Sequence, residues 1–163
     1  MQALGETQNQ LLTKFEGLKT ALRILQTEQK ELKVLLTRIE EKKNAGGDLM
    51  EIPEVLSAAN INSLRAQLID LRTSRAILDV DFGARSKQVQ ENELLTRETK
   101  RNLDEAIAQV VFLMKTKYED GVAREARLNK DIDEADAEVR NLERLMIKNK
   151  DLEANVEIGR AHV

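Results

Sequence analysis

The residues that could do chemistry in this chain are few and scattered. The single histidine, His162, lies near the end of the sequence, and no cysteine is present to act as a nucleophile or a metal ligand. No serine, histidine and acid can be assembled into a hydrolytic triad, and no glycine-rich phosphate-binding motif occurs. We therefore expect no catalytic residue, no bound metal and no cofactor.

An acidic stretch, residues 131–136, looks at first like a cation site. A calcium loop needs glycine at its sixth position and glutamate at its twelfth, where this chain has Asp136 and Leu142. In a helix these carboxylates would also point in different directions around the axis. Because residues 119–138 carry eight acidic and three basic side chains, we interpret the region as a solvated acidic face; the alternative is a weak surface for a divalent cation or a partner.

The composition excludes several classes of protein. Charged residues make up 34% of the 163 residues and aromatic residues 2%, which favours a long helix or coiled coil over a compact enzyme core. The net charge is -3 and no basic stripe is visible, so we expect no nucleic-acid partner. No run of about eighteen apolar residues could cross a membrane, and polar residues near the start argue against a signal peptide.

The first element that would position any site is a helix predicted over residues 3–43. Two seam positions in it are polar, Gln8 and Gln29, and we interpret both as solvated residues near the rim; the alternative is that they fix the register. The seam itself is a seven-residue repeat of leucine and isoleucine, typical of a helix lying along another helix: Leu4, Leu11, Leu18, Leu25, Leu32 and Ile39.

A connector is predicted over residues 44–59. The sequence NAGGD at residues 44–48 favours a helix C-terminus, because Asn and Gly tolerate the left-handed conformation. Pro53, the one proline of the chain, is accepted in a first helical turn, so a short helical turn is predicted over residues 53–58.

A second helix is predicted over residues 60–82, with Asn60 or Asn62 as its N-cap. Its apolar residues keep the three- and four-residue spacing of a seam, and Arg75 is the single exception. The stem of Arg75 can pack in the seam while its guanidinium reaches solvent; the alternative is an ion pair with another helix.

A hairpin tip is predicted at residues 83–87, before a long helix over residues 88–161. Gly83 can adopt a positive φ without steric cost, and Ser86 can cap the next helix. We take Gly83, Arg85 and Lys87 as the tip residues. The long helix contains no proline, and its apolar positions step by threes and fours from Ile107 onward.

Two arrangements fit these lengths. In one, the first two helices follow each other along the third, which makes a long antiparallel all-α hairpin with one arm interrupted by the Gly/Pro connector. In the other, the second helix folds back on the first and makes a three-helix bundle. The lengths favour the hairpin, because the second helix is too short to cover the third.

Large apolar residues also lie outside the seam. A two-helix seam does not bury them, so we interpret them as a face that packs against a second copy of the chain. The candidate oligomer face comprises Leu12, Ile24, Leu35, Leu94, Phe112, Leu113, Leu145 and Ile147.

Three stretches resemble the periplasmic helical region of the polysaccharide co-polymerases, the Wzz-type chain-length determinants and their exopolysaccharide-transport members. IPEVL at residues 52–56 with INSLRAQL at 61–68 looks like the family's connector and following helix. FGARSKQV at 82–89 sits where the family has an aromatic-glycine turn, although Ser86 and Lys87 replace its usual histidine and proline. LEANVEIGR at 152–160 is similar to the end of the returning helix.

The resemblance implies a non-catalytic role. Protomers anchored in the inner membrane would form a homo-oligomer whose hairpins project into the periplasm and scaffold a polysaccharide polymerase and its glycan chain. It also implies that the chain is part of a larger membrane protein, whose membrane-proximal base, membrane-spanning helices and any tyrosine kinase domain are absent from these residues.

Two rival interpretations remain open. One is the α-hairpin of a periplasmic membrane-fusion adaptor, although such hairpins are usually symmetric and this one has a connector in a single arm. The other is a cytoplasmic structural coiled coil with no role in polysaccharide synthesis.

Overall fold

The chain forms helices throughout the part that the structure, a computed structural model, describes, which is residues 2–162. None of the described residues lies in a β-strand, and no described helix has an apolar stretch long enough to span a bilayer. The elements in chain order are α1 (Gln2–Asn44), a 3-10 turn (Leu49–Glu51), α2 (Pro53–Leu56), α3 (Ala59–Phe82) and α4 (Lys87–Ala161).

The helices make the antiparallel hairpin that the lengths favoured, with the α1–α3 arm interrupted by the connector and α4 as the continuous arm. The side-chain amide of Asn92 in α4 donates to the carbonyl oxygen of Leu71 in α3 at 3.0 Å. Ile39, near the end of α1, shares a groove with Ile107, further along α4. Since α1 and α3 lie against successive parts of α4, the three-helix bundle is excluded.

The hairpin divides into two compact units. The two-helix unit comprises Met1–Glu31 and Glu119–Val163, and the connector unit comprises Leu32–Tyr118. The two-helix unit contains only stretches of α1 and α4, whereas the connector unit also contains the 3-10 turn, α2 and α3. We describe each unit by itself.

The core of the connector unit forms where the connector meets α1, α3 and α4. Val55 of α2 and Ile61 of α3 are 0% exposed, and α4 presents neighbouring apolar residues to them. In this region α4 takes consecutive four-residue steps, from Thr99 to Leu103 to Ile107, which widens the buried face beyond a heptad stripe. The fully buried members of this core are Ile39, Ile52, Val55, Ile61 and Leu103.

Local capping fixes both ends of the connector. At the end of α1, Gly46 has φ +70°, and the amides of Gly46 and Gly47 donate to the carbonyl oxygens of Lys43 and Lys42 at 3.1 and 2.9 Å. These two bonds are a Schellman motif, as the Asn/Gly pattern predicted. The carboxylate of Asp48 then accepts from the amide of Met50 at 2.9 Å and caps the 3-10 turn, which the sequence did not predict.

Ion pairs hold the connector against α1. Lys42 pairs with Glu51 of the 3-10 turn, and Arg38 pairs with Glu54 of α2 at 3.6 Å. The two cations are four residues apart on α1 and therefore lie on one side of the helix. Pro53 occupies the first position of α2, where its missing amide costs no hydrogen bond.

The predicted cap of α3 is wrong. The N-cap is Ala58, which makes no side-chain hydrogen bond, and neither Asn60 nor Asn62 holds the position. The carboxamide oxygen of Asn60 accepts from the adjacent amide of Ile61 at 3.0 Å instead. The helix starts early because burial of Ile61 in the core outweighs the preference for a polar cap.

The two-helix unit has a narrow seam that contains buried polar groups. Gln29 is 8% exposed, so the interpretation of it as a solvated rim residue is wrong, whereas Gln8 is half-buried. The carboxamide of Gln29 lies over Gly121 of α4: a Cβ built on Gly121 would be 2.1 Å from Gln29 Oε1. One turn further along, the carboxamide of Gln26 donates to the carboxylate of Glu125, a half-buried residue of α4, at 3.3 Å.

Candidate functional site

The predicted hairpin tip is a four-residue turn between α3 and α4. Gly83 ends α3 with φ 78° and ψ 161°, a region that only glycine readily adopts. The hydroxyl of Ser86 accepts from the amide of Val89 at 3.2 Å, so Ser86 is the predicted cap of α4. Arg85 is exposed, and Lys87 pairs loosely with Glu91 at 3.9 Å, which leaves both tip cations open to solvent.

The residues of the candidate oligomer face do not form one continuous stripe. Leu35 packs against the core of the connector unit, whereas the other seven are exposed. Leu145 and Ile147 are two residues apart and therefore lie about 200° apart around α4, on opposite flanks of the seam. Phe112 and Leu113 are adjacent in sequence but point about 100° apart around α4, and Phe112 is 62% exposed.

Phe112 lies at the edge of an apolar groove, which we call the connector groove, of about 460 Å³. The apolar side chains in it are Ile39, Leu49, Ile107 and Val111. Charges of both signs surround the opening, so this groove has an apolar interior and a mixed rim. Its charged lining residues are Glu40, Lys43, Asp48, Asp104 and Lys115.

A second groove, which we call the basic groove, lies between α3 and α4 nearer the tip and has a volume of about 440 Å³. Leu68 and Leu71 of α3 supply its apolar surface. Its charged residues are four cations and one carboxylate. It is lined by Leu68, Leu71, Arg72, Arg75, Asn92, Glu93, Thr96, Arg97 and Lys100.

Arg75 closes one part of the basic groove with two ion pairs. Its guanidinium contacts Asp79 of α3 at 3.0 Å and, across the seam, Glu93 of α4 at 2.8 Å. The hydrogen bond to Asp79, followed by that to Glu93, raises the pKa of Arg75 above its ordinary value, so the side chain stays charged. The solvated arginine expected in the seam is therefore wrong, and the interhelical ion pair is what forms.

The three other cations of the basic groove are left uncompensated. Arg72, Arg97 and Lys100 are exposed, and none of them makes an ion pair or a side-chain hydrogen bond with any residue in the described range. By contrast, the polar groups between them are satisfied within the fold: Asn92 donates to Leu71, and the hydroxyl of Thr96 donates to the carbonyl oxygen of Asn92 at 2.8 Å.

The charge pattern along the chain does not reveal this groove. Residues 70–101 carry seven basic and six acidic side chains, which looks balanced. A usable signal was present, since the cations of the groove form two pairs with three-residue spacing, one pair in each facing helix. The pairs are Arg72 with Arg75 and Arg97 with Lys100.

No cluster of potential ligands for a metal ion occurs in the part of the chain that the structure describes. In the acidic stretch of α4, the carboxylate of Asp136 pairs with Arg140 at 3.0 Å. Ala135 is buried in the seam beside it, while Asp131 and Asp133 are exposed.

Comparison with known proteins gives no assignment. The chain matches no family model, no curated protein and no solved structure at a significant level. The functional argument therefore depends on the fold and on the geometry of the grooves.

Proposed function

We propose that this chain is the periplasmic helical region of a polysaccharide chain-length determinant or exopolysaccharide export protein, and that it acts as a scaffold without catalysis. The observation that carries the proposal is the interrupted arm. The stretch that resembles the family's connector, residues 52–56, supplies Ile52 and Val55 to the best-buried core of the molecule. An interruption packed in this way is an architectural element, since a flexible linker would leave these side chains exposed.

In this proposal the protein belongs to the inner membrane through segments outside these residues, and the hairpin faces the periplasm. Copies assemble side by side, and their surfaces hold the polymerase and the growing glycan chain at fixed positions. The length of the polymer then depends on how long the chain stays engaged with the assembly.

The genetic test is to delete the parent gene in the source bacterium and to separate its surface and secreted polysaccharides by size on a gel. Complementation with the wild-type gene is expected to restore the lost polymer or its original length distribution. Complementation with Ile61→Ala, which removes buried side-chain volume from the core, is expected to restore it poorly.

Ile69→Ala is the matched control, because Ile69 lies on the same helix and is 51% exposed. It is expected to complement like the wild type. An unchanged polysaccharide profile in the deletion strain would contradict the proposed function and would move the membrane-fusion adaptor to first place.

The lateral contact in this assembly is a second copy seated on the connector groove. The groove's apolar interior continues onto the exposed side chain of Phe112, and its rim carries both signs of charge. A rim of mixed sign is complementary to another copy of itself. Light scattering at rising protein concentration is expected to show association that Phe112→Glu removes and Ile69→Glu, outside the groove, leaves intact; a monomer at every concentration would contradict this contact for the isolated chain.

A further inference from the structure

The basic groove concentrates positive charge on a chain whose net charge is negative. Four of the five charged residues that line it are cations, contributed by both α3 and α4. The whole chain, by contrast, carries 29 acidic against 26 basic residues. The fold has therefore collected on one short surface a charge that the composition does not show.

Internal pairing accounts for only one of the four cations. Arg75 is neutralised by Asp79 and Glu93 through contacts of 3.0 and 2.8 Å. Arg72, Arg97 and Lys100 make no ion pair among the described residues and line the same groove. Their charges are therefore available to an anion that enters it.

The shape and chemistry of the groove narrow the class of anion. A volume of about 440 Å³ is that of a site for a small organic molecule rather than for a bare ion. Two guanidinium groups match the planar geometry of carboxylate and phosphate oxygens, which they can bind through paired hydrogen bonds. Leu68 and Leu71 provide apolar surface on which the C–H face of a sugar ring can pack.

We propose that the basic groove binds an acidic oligosaccharide, a glycan segment whose carboxylate or phosphate groups pair with Arg72, Arg97 and Lys100. This inference rests on the proposed function and adds to it the class of glycan and the place of contact. Because the groove runs between two packed helices and is open to solvent, a segment within a longer polymer can enter it without a free chain end.

Fluorescence anisotropy of a labelled tetragalacturonate tests the proposal on the full chain. Binding is expected at about 20 mM NaCl and is expected to weaken strongly at about 300 mM, because exposed charges are screened over that range. Unlabelled tetragalacturonate should compete, whereas the neutral maltotetraose should not. Inorganic pyrophosphate competing as strongly as the acidic sugar would overturn the saccharide assignment.

The double variant Arg72→Gln/Arg97→Gln is expected to weaken binding about tenfold or more, since it removes two charge-assisted contacts. Both side chains are exposed and unpaired, so the variant should fold, and its circular dichroism melt should match that of the wild type.

Arg101→Gln is the matched control. Arg101 lies next to Lys100 on α4 but outside the groove, and it pairs with Glu105 at 3.8 Å. The proposal is overturned if the wild type does not bind at low salt or if Arg101→Gln weakens binding as much as the double variant. A negative binding result would not change the outcome of the gene deletion, so the two experiments can contradict the two proposals independently.

Discussion

The large side chains between the helices are buried more completely in the connector unit than in the two-helix unit. In the connector unit, α4 meets α1, the connector and α3, and the core residues Val55 and Ile61 are fully enclosed. In the two-helix unit, α4 meets α1 alone, and even a central seam residue such as Leu25 keeps 6% of its surface exposed. Two helices bury the small Ala135 here but leave the large seam side chains slightly exposed, whereas the added connector encloses large side chains completely.

The polar groups of the two units differ in part, since both seams contain a buried amide, Gln29 in the two-helix unit and Asn92 in the connector unit. The two-helix unit places an amide, Gln29, over a glycine in the middle of its seam. The connector unit places a charged pair, Arg75 with Glu93, across its seam near the tip. The comparison indicates that the most completely buried large side chains, and with them most of the packing stability, lie in the connector unit.

The largest expected effect is a truncation in the enclosed core. Ile61→Ala should lower the free energy of unfolding by about 2–5 kcal/mol, because it leaves a cavity that surrounding elements cannot fill. Leu25→Ala in the two-helix unit should cost less, toward the lower end of that range, since its site is partly open to water. Urea denaturation followed by circular dichroism measures both. Equal losses of unfolding free energy at the two sites would contradict the difference in burial between the two units.

A smaller effect is expected at the glycines of the connector unit. Gly83→Ala should cost about 1–3 kcal/mol, because φ 78° with ψ 161° is strained for any side chain. Gly46→Ala, at φ +70° in the Schellman motif, should cost about 1–2 kcal/mol. Asparagine distinguishes the two sites: Gly46→Asn should be tolerated better than Gly46→Ala, while Gly83→Asn should not improve on Gly83→Ala. Thermal melts of the four variants check this ranking.

In the two-helix unit, Gly121→Ala is not expected to raise the stability, although replacing glycine by alanine inside a helix normally does. Gly17→Ala, which meets no atom within 4 Å, should raise stability by about 1 kcal/mol. At Gly121 the new methyl group displaces the buried carboxamide of Gln29, so the gain should be lost or reversed. When Gln29 is also replaced by alanine, Gly121→Ala should again raise the stability. A double-mutant cycle in urea measures this coupling, and a coupling near zero would show that Gln29 moves aside freely.

The smallest effect concerns the ion pair of the connector unit. A double-mutant cycle on Arg75 and Glu93 should give a small stabilising coupling that decreases in concentrated salt. The exposed pair of Arg101 with Glu105 on α4 is the control and should give about 0.5 kcal/mol or less. If the control pair couples as strongly, the Arg75 contact has no special role in joining α3 to α4.

Much of the fold was readable from the sequence. The heptads of α1, the glycine pattern at the end of α1, Pro53 at the start of α2, and the Gly83 and Ser86 signals at the tip were all interpreted correctly. Each of these signals acts within a few residues of the chain, where backbone geometry and capping depend on local residue types.

The wrong predictions, by contrast, all concern contacts between residues that are far apart in the sequence. Gln29 was assigned to the rim because its burial depends on Gly121, far away in sequence. Arg75 was assigned to solvent because its partner, Glu93, belongs to the returning helix. The cap of α3 was misplaced because burial of Ile61 against the other elements decided where the helix begins.

Residue types and spacing by themselves therefore determined that the chain is helical and roughly where most of its helices break. Tertiary structure alone decided which side chains face each other across the hairpin, and so it created the basic groove from Arg72, Arg97 and Lys100 within a charge-balanced stretch. The physical reason is the distance along the chain over which each interaction acts. Helix periodicity and capping depend on residues close in sequence, whereas charge pairing and core burial depend on residues that only packing brings together.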